Sequence, residues 1–205
     1  MPRSIDYYFT LDSPWSYIGH GAFMTVMRRH DALVRYHPVN LSLVFPQSGG
    51  LPLAKRNPLR QRYRMLELQR WRERRRLDFN LKPAFWPFES ALADRAVLAL
   101  IRSGADPEAV LPRAYAAVWE DERDLADPTV LASLIEAAGL DAHAILAAAA
   151  TEALAEAYDT GSRTALKAGV FGTPSYGLDG EIFWGQDRID FLEAALASGR
   201  QPFTA

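Results

Sequence analysis

Gly169-Val170-Phe171-Gly172-Thr173-Pro174-Ser175, continued by Tyr176-Gly177-Leu178-Asp179-Gly180-Glu181-Ile182-Phe183-Trp184-Gly185-Gln186-Asp187-Arg188, reads as a loop, a hairpin and a helix start. Asp179-Gly180 between two short apolar runs predicts a two-residue type I′ turn, because both central residues there need positive φ. An X-Pro bond such as Thr173-Pro174 reaches the cis form at a cost of about 0.5–1 kcal/mol. A cis bond there lets the loop turn a backbone edge towards a ligand. The glycine-bounded loop therefore feeds a strand, a tight turn, a second strand and a final helix.

The other end of the chain supplies the complement. Ile5-Asp6-Tyr7-Tyr8-Phe9-Thr10 is rich in β-branched and aromatic residues and reads as a buried strand. Ser13 followed by Pro14 is a helix start: serine caps, and proline at the first helical position gives up an N–H that has no partner there anyway. Ile18, Phe23, Val26 and Met27 continue the helix as its apolar face, and Leu33 to Val39 alternates as a second strand. The chain is thus β-α-β at the front and β-β-α at the back.

These pieces resemble a known family. Ser13-Pro14-Trp15-Ser16-Tyr17, Phe171-Gly172-Thr173-Pro174, the ending Phe183-Trp184-Gly185-Gln186-Asp187-Arg188-Ile189-Asp190, and a middle with Arg113-Ala114-Tyr115, Trp119 and Asp124-Leu125-Ala126-Asp127-Pro128 stand in one order. Together they look like the 2-hydroxychromene-2-carboxylate isomerases, which belong with the kappa-class glutathione transferases among DsbA-like thioredoxin proteins. The resemblance covers nearly the whole chain. It implies an α/β fold, a thioredoxin-like sheet made by about 1–45 and 166–205, with an all-helical subdomain inserted over about 46–165. In that architecture the cis-proline loop faces the tip of the first helix.

Composition narrows the chemistry. The 205 residues suffice for one domain with a large core, and the net charge of −2 implies no global attraction to nucleic acid or a membrane surface. No apolar run reaches the roughly 18 residues that cross a bilayer. The start of the chain shows no signal-peptide pattern, so a cytoplasmic protein is expected. There is no cysteine. DsbA-like oxidoreductases attack disulfides with a thiolate from a Cys-x-x-Cys pair at the start of the first helix. Ser13-Pro14-Trp15-Ser16 stands in that place, so dithiol exchange is excluded. Any thiol must arrive on a ligand.

Between the two ends, helices are expected over 58–76, 89–103, 107–121, 128–138, 141–157 and 159–168, with Asp127 and Asp141 as caps and Gly104 and Gly139 as stops. Phe45 to Pro58, rich in Pro and Gly, is expected to be a loop. His20, His30, His37 and His143 are scattered without metal-ligand spacing, and no phosphate loop or acidic metal cluster is present.

Ser13 is the candidate catalytic residue. Taken alone it is an ordinary cap. A helix N-terminus nevertheless favours an anion through its free N–H groups and dipole, and a hydroxyl there can donate one hydrogen bond more. Such a bond to a charged group contributes about 1.5–3 kcal/mol. At 1.36 kcal/mol per unit, it lowers a thiol pKa by roughly one to two units. Starting from about 8.5, a useful thiolate fraction then exists at neutral pH. The resemblance implies that the thiol is that of glutathione. It also implies that the Thr173 backbone beside Pro174 pairs with the cysteinyl part, in the manner of an added strand. By the same resemblance, Gln186 and Asp187 hold the γ-glutamyl end, and Asn57, with Arg or Lys near it, meets the glycyl carboxylate of glutathione or the carboxylate of an aromatic acid.

Lys55 to Arg76 carries ten Lys or Arg against Glu67 and Glu73. Most such runs are solvated helix faces; the alternative is an anion site, with Lys55, Arg56, Arg60 and Arg62 as candidates for a ligand carboxylate. Of the aromatics Trp15, Tyr17, Trp71, Phe85, Trp86, Phe88 and Trp184, most are expected in the core. Trp15 and Phe85 to Phe88 are expected to line a flat aromatic pocket.

The resemblance implies a glutathione-dependent isomerase converting 2-hydroxychromene-2-carboxylate and trans-o-hydroxybenzylidenepyruvate into one another, working as a homodimer on a small aromatic carboxylate. The thiolate adds to the conjugated ring system, the ring opens, a bond rotates and the thiol leaves. The rival readings are a kappa-class-like glutathione transferase and a cysteine-free binding protein with no chemistry.

Overall fold

The structure, a computed structural model, describes residues 3–204. Strands β1 (Ser4–Phe9) and β2 (Leu33–Pro38) run parallel, with Tyr7 opposite Tyr36, and helix α1 (Pro14–Arg29) connects them. Strand β3 (Ser175–Leu178) lies antiparallel on the other side of β1, and β4 (Glu181–Trp184) follows it through the expected turn. Asp179 and Gly180 have φ of 51° and 90°, as a type I′ connection requires. The sheet order is β2-β1-β3-β4.

Alternation along β1 decides which face meets which helix. Ile5, Tyr7 and Phe9 are fully buried on the side of α1 and the last helix, α9 (Ile189–Ser198). There the Tyr7 ring stacks on Tyr176 at 5.6 Å, and Phe23 of α1 lies 4.6 Å from the same ring. Tyr8 points the other way and packs with Val44 and Ala165.

Between β2 and β3 come α2 (Leu41–Ser48), α3 (Pro58–Arg75), α4 (Ala91–Ser103), α5 (Leu111–Trp119), α6 (Pro128–Ala137), α7 (Ala142–Ala149) and α8 (Glu152–Lys167). One apolar cluster runs from the sheet into these helices, joining Tyr7 and Phe23 to Leu68, Val97, Leu111 and Trp119. The expected caps hold: Asp127 accepts from the Thr129 N–H at 2.8 Å and Asp141 from that of Ala144 at 3.0 Å. The helix expected over 107–121 is a 3-10 turn at Pro107–Ala109 followed by α5.

Two expectations fail. The loop expected from Phe45 begins inside α2, because Asn40 caps that helix through its side chain (3.0 Å to the Ser42 N–H) and Gly49 ends it at positive φ. Pro46 lies inside α2, where one missing N–H is tolerated near the end of an eight-residue helix. Second, the break expected near residue 158 lies at Ala150-Thr151. Thr151 is extended and caps α8, accepting from the Leu154 N–H at 3.3 Å. In an alanine-rich stretch, that threonine was the one local sign of a new start.

Candidate active site

β1 ends at Phe9, and Thr10-Leu11-Asp12 turns the chain into α1. Ser13 adopts the extended N-cap conformation, and its Oγ accepts the Ser16 N–H at 3.2 Å. The same hydroxyl donates to the Thr173 carbonyl at 3.4 Å, and Thr173-Pro174 is cis. Residues 160 positions apart thus meet at the tip of α1. Both side chains are buried. A hydroxyl hydrogen rotates to suit its acceptor, so Ser13 can leave the carbonyl for a better one. The Thr173 N–H makes no hydrogen bond among the described residues, and Thr173 Oγ1 is buried without a partner. Ser16, at the fourth position of the tetrad, is fully buried.

The electrostatics suit an anion. The first turn of α1 contains no acidic side chain, so its positive end is uncompensated from within the helix. Asp12 immediately precedes it, but burial and the neighbouring Asp94 push its carboxyl up to about 7. A charge that would repel a thiolate is therefore held partly neutral. Asp94, wholly buried on α4, is pushed up to about 6 by burial, against donors from Thr10 (2.7 Å), the Leu11 N–H (2.9 Å), Tyr158 (2.8 Å) and Ser90 (3.1 Å). It ties the strand end that carries Ser13 to α4 and α8.

Gln186 and Asp187 open the 3-10 turn Gln186–Arg188, which packs on α1. The approach is close: a Cβ on Gly19 would lie 2.6 Å from the Gln186 Cβ. Gly19 is six residues along the helix from Ser13, about 9 Å at 1.5 Å per residue. Gln186 is buried, and its amide oxygen accepts from Arg75 at 3.3 Å, so it offers a ligand little beyond its remaining N–H groups. Asp187 is exposed, with only Arg188 at 2.8 Å on its carboxylate.

Asn57 caps α3, accepting the Leu59 N–H at 2.9 Å, and no hydrogen bond joins it to Ser13 or the proline loop. Of the basic candidates, Lys55, Arg60 and Arg62 are exposed, and Arg56 is half-buried with its Nε on the Leu51 carbonyl at 2.7 Å. The buried cation of this segment is instead Arg64, whose guanidinium lies 4.6 Å above the Trp86 ring. It shares the inward face of α3 with Leu68, four residues on, and that spacing was the overlooked signal. Trp86 in turn donates to the Asp12 carbonyl at 2.9 Å. Phe85 is exposed, as is Trp184, which leans on Phe171 rather than on the core.

A sequence model of the DSBA-like thioredoxin domain matches residues 4–197. The chain belongs to that family. A 2-hydroxychromene-2-carboxylate isomerase of Sphingobium xenophagum is 31% identical over 198 residues, covering 96% of this chain and 99% of the relative. One from Pseudomonas putida is 27% identical, covering 94% and 93%. Among solved structures, a 2-hydroxychromene-2-carboxylate isomerase superposes with a TM-score of 0.83 at 26% identity, covering 95% of each chain. DsbM, a cytosolic disulfide reductase of Pseudomonas aeruginosa solved with GSH, shares the fold at a TM-score of 0.68 and 22% identity, covering 96% of this chain and 98% of its own. Among the described residues, no helix is long and apolar enough to cross a membrane.

Proposed function

We propose that the protein is a glutathione-dependent isomerase acting on 2-hydroxychromene-2-carboxylate and its ring-opened isomer, trans-o-hydroxybenzylidenepyruvate. The observation that carries this is the meeting of Ser13 Oγ with the Thr173 carbonyl across the cis-proline at the tip of α1. Two further features fit a cysteinyl ligand: the unused Thr173 N–H and an anion-favouring helix tip in a chain without cysteine. Near-full-length similarity to named isomerases supports the choice of reaction.

Bound glutathione would supply a nucleophilic sulfur that adds to the conjugated ring and leaves after rotation about the freed bond. Ser13 holds that sulfur as its anion by turning its hydroxyl from the Thr173 carbonyl. The Thr173 backbone aligns the cysteinyl unit beside the helix tip. Asp187 accepts from the γ-glutamyl ammonium; Gln186 fixes the turn that carries Asp187. Asn57 remains assigned to the glycyl end, reached once a ligand spans the tips of α1 and α3. The working form is a cytoplasmic homodimer, which light scattering of the purified protein checks.

The test is turnover of the chromene carboxylate with catalytic glutathione, counting thiol before and after. Product formed with thiol unchanged supports the isomerase. One thiol lost per product marks a transferase. No turnover, with no heat on titrating millimolar glutathione, marks a binding protein.

A further inference from the structure

Arg64 poses a problem of charge. It is buried on α3, yet among the described residues its only hydrogen-bond acceptor is the sulfur of Met65 at 4.0 Å, and no carboxylate lies within ion-pair distance. Burying an unpaired charge is costly. The Trp86 face beneath it offsets only part of that, since cation–π contacts contribute about 0.5–2 kcal/mol. The surroundings resist the charge: burial, and then the nearby Arg56, pull the guanidinium down to about 10, against a smaller support from Asp12. Yet the ring that carries Arg64 is itself fixed to the Asp12 carbonyl, one residue from Ser13. A cation held at a cost, on a flat aromatic face beside the sulfur position, has the form of a receptor for a planar anion.

We propose that Arg64 on Trp86 is the subsite for the substrate's carboxylate, selecting a flat aromatic acid and orienting its ring towards Ser13. Its planar fork of donors matches a carboxylate in two parallel hydrogen bonds, and the indole face beneath the guanidinium fixes the plane in which that fork is offered. The role differs from that of the exposed residues Lys55, Arg60 and Arg62, which water already satisfies. This subsite rests on the isomerase reading for its natural ligand, though not for its chemistry: any planar aromatic carboxylate should be held there.

The test therefore uses two readouts on the full chain. In the first, trans-cinnamate and its neutral amide are titrated into glutathione-loaded wild type, Arg64→Gln and Arg64→Met, the methionine variant keeping an apolar stem on Trp86. Cinnamate affinity should fall roughly 10- to 100-fold in both variants, the worth of a charge-assisted pair. Amide affinity should change less than about twofold, a split that a merely structural arginine does not produce. In the second, KM for the chromene carboxylate should rise by the same factor while the dissociation constant of glutathione stays put. Equal cinnamate binding in all three proteins overturns the subsite, even if wild type proves an isomerase. Arg64-dependent binding of cinnamate by a protein that fails to isomerise upholds the subsite and overturns the reading of the reaction instead.

Discussion

On one side of Ser13 stand groups fixed by backbone geometry: the cis Thr173-Pro174 bond, the hairpin behind it and the Gln186–Arg188 turn. On the other stand side chains brought from afar: Asp94 on α4, Arg64 on α3, Trp86 between them and Tyr158 on α8. The first flank offers N–H and C=O groups, which any peptide-like ligand can use. The second offers charges and a ring, which suit one shape of ligand. On the proposed reading, a general thiol-binding half is joined to a particular substrate-facing half, and substitutions on the two sides should separate in what they damage.

The largest expected effect falls on the second flank and on stability. Asp94→Ala leaves the hydroxyls of Thr10 and Tyr158 and the Leu11 N–H without their acceptor. Unpaired buried donors cost about 1–3 kcal/mol each, so denaturant unfolding should show a loss of about 3 kcal/mol or more. A loss below about 1 kcal/mol would show that this buried carboxylate does not anchor the strand end.

Ser13→Ala should do the reverse, sparing the fold and hurting catalysis. The lost cap costs about 1 kcal/mol of stability. Turnover should fall roughly 10- to 100-fold, the loss of one hydrogen bond to a thiolate. Near-normal turnover removes Ser13 from the mechanism.

Gly19→Ala probes the join between α1 and the Gln186 turn. In an open helix this change stabilises by about 1 kcal/mol. Here the new Cβ would sit 2.6 Å from the Gln186 Cβ and 3.0 Å from the Tyr176 hydroxyl. Stability should therefore drop by about 1–2 kcal/mol, with a matching loss of glutathione affinity seen by calorimetry. A more stable variant with unchanged affinity refutes the close packing.

The smallest effect is one of pH. Asp12, ordinarily near 3.8, is pushed up to about 7 by burial and Asp94, with Arg64, Trp86 and the Phe88 N–H acting the other way. Between those values the folded chain holds a proton that the unfolded chain has lost. Its contribution is therefore full below about pH 4 and is lost as pH rises through about 7. Asp94, pushed up to about 6, acts in the same sense. The melting temperature should thus fall from about pH 4.5 to about pH 7.5. In Asp12→Asn that fall should be shallower; an identical slope shows that Asp12 does not titrate there.

The same contrast explains what the sequence disclosed. Ser13-Pro14, Thr173-Pro174 and Asp179-Gly180 are local signals whose residue types impose their own backbone, and each stands where it was expected. The helices with side-chain caps at Asp127 and Asp141 were legible for the same reason. The second flank was not legible, because its partners lie from 22 residues apart, for Arg64 and Trp86, to 84, for Thr10 and Asp94, and no short window holds both. Arg64 was lost among nine other cations until helical spacing put it on the face of Leu68. Asn57 and Gln186 also have local partners that their motifs do not disclose: Asn57 accepts the Leu59 N–H, and the Gln186 amide oxygen accepts from Arg75.

A crystal structure with glutathione bound tests the central claim most directly. The sulfur should lie within hydrogen-bonding reach of Ser13 Oγ, with the cysteinyl backbone alongside Thr173. A tripeptide bound elsewhere, with the Ser13 hydroxyl still turned to the Thr173 carbonyl, would contradict it.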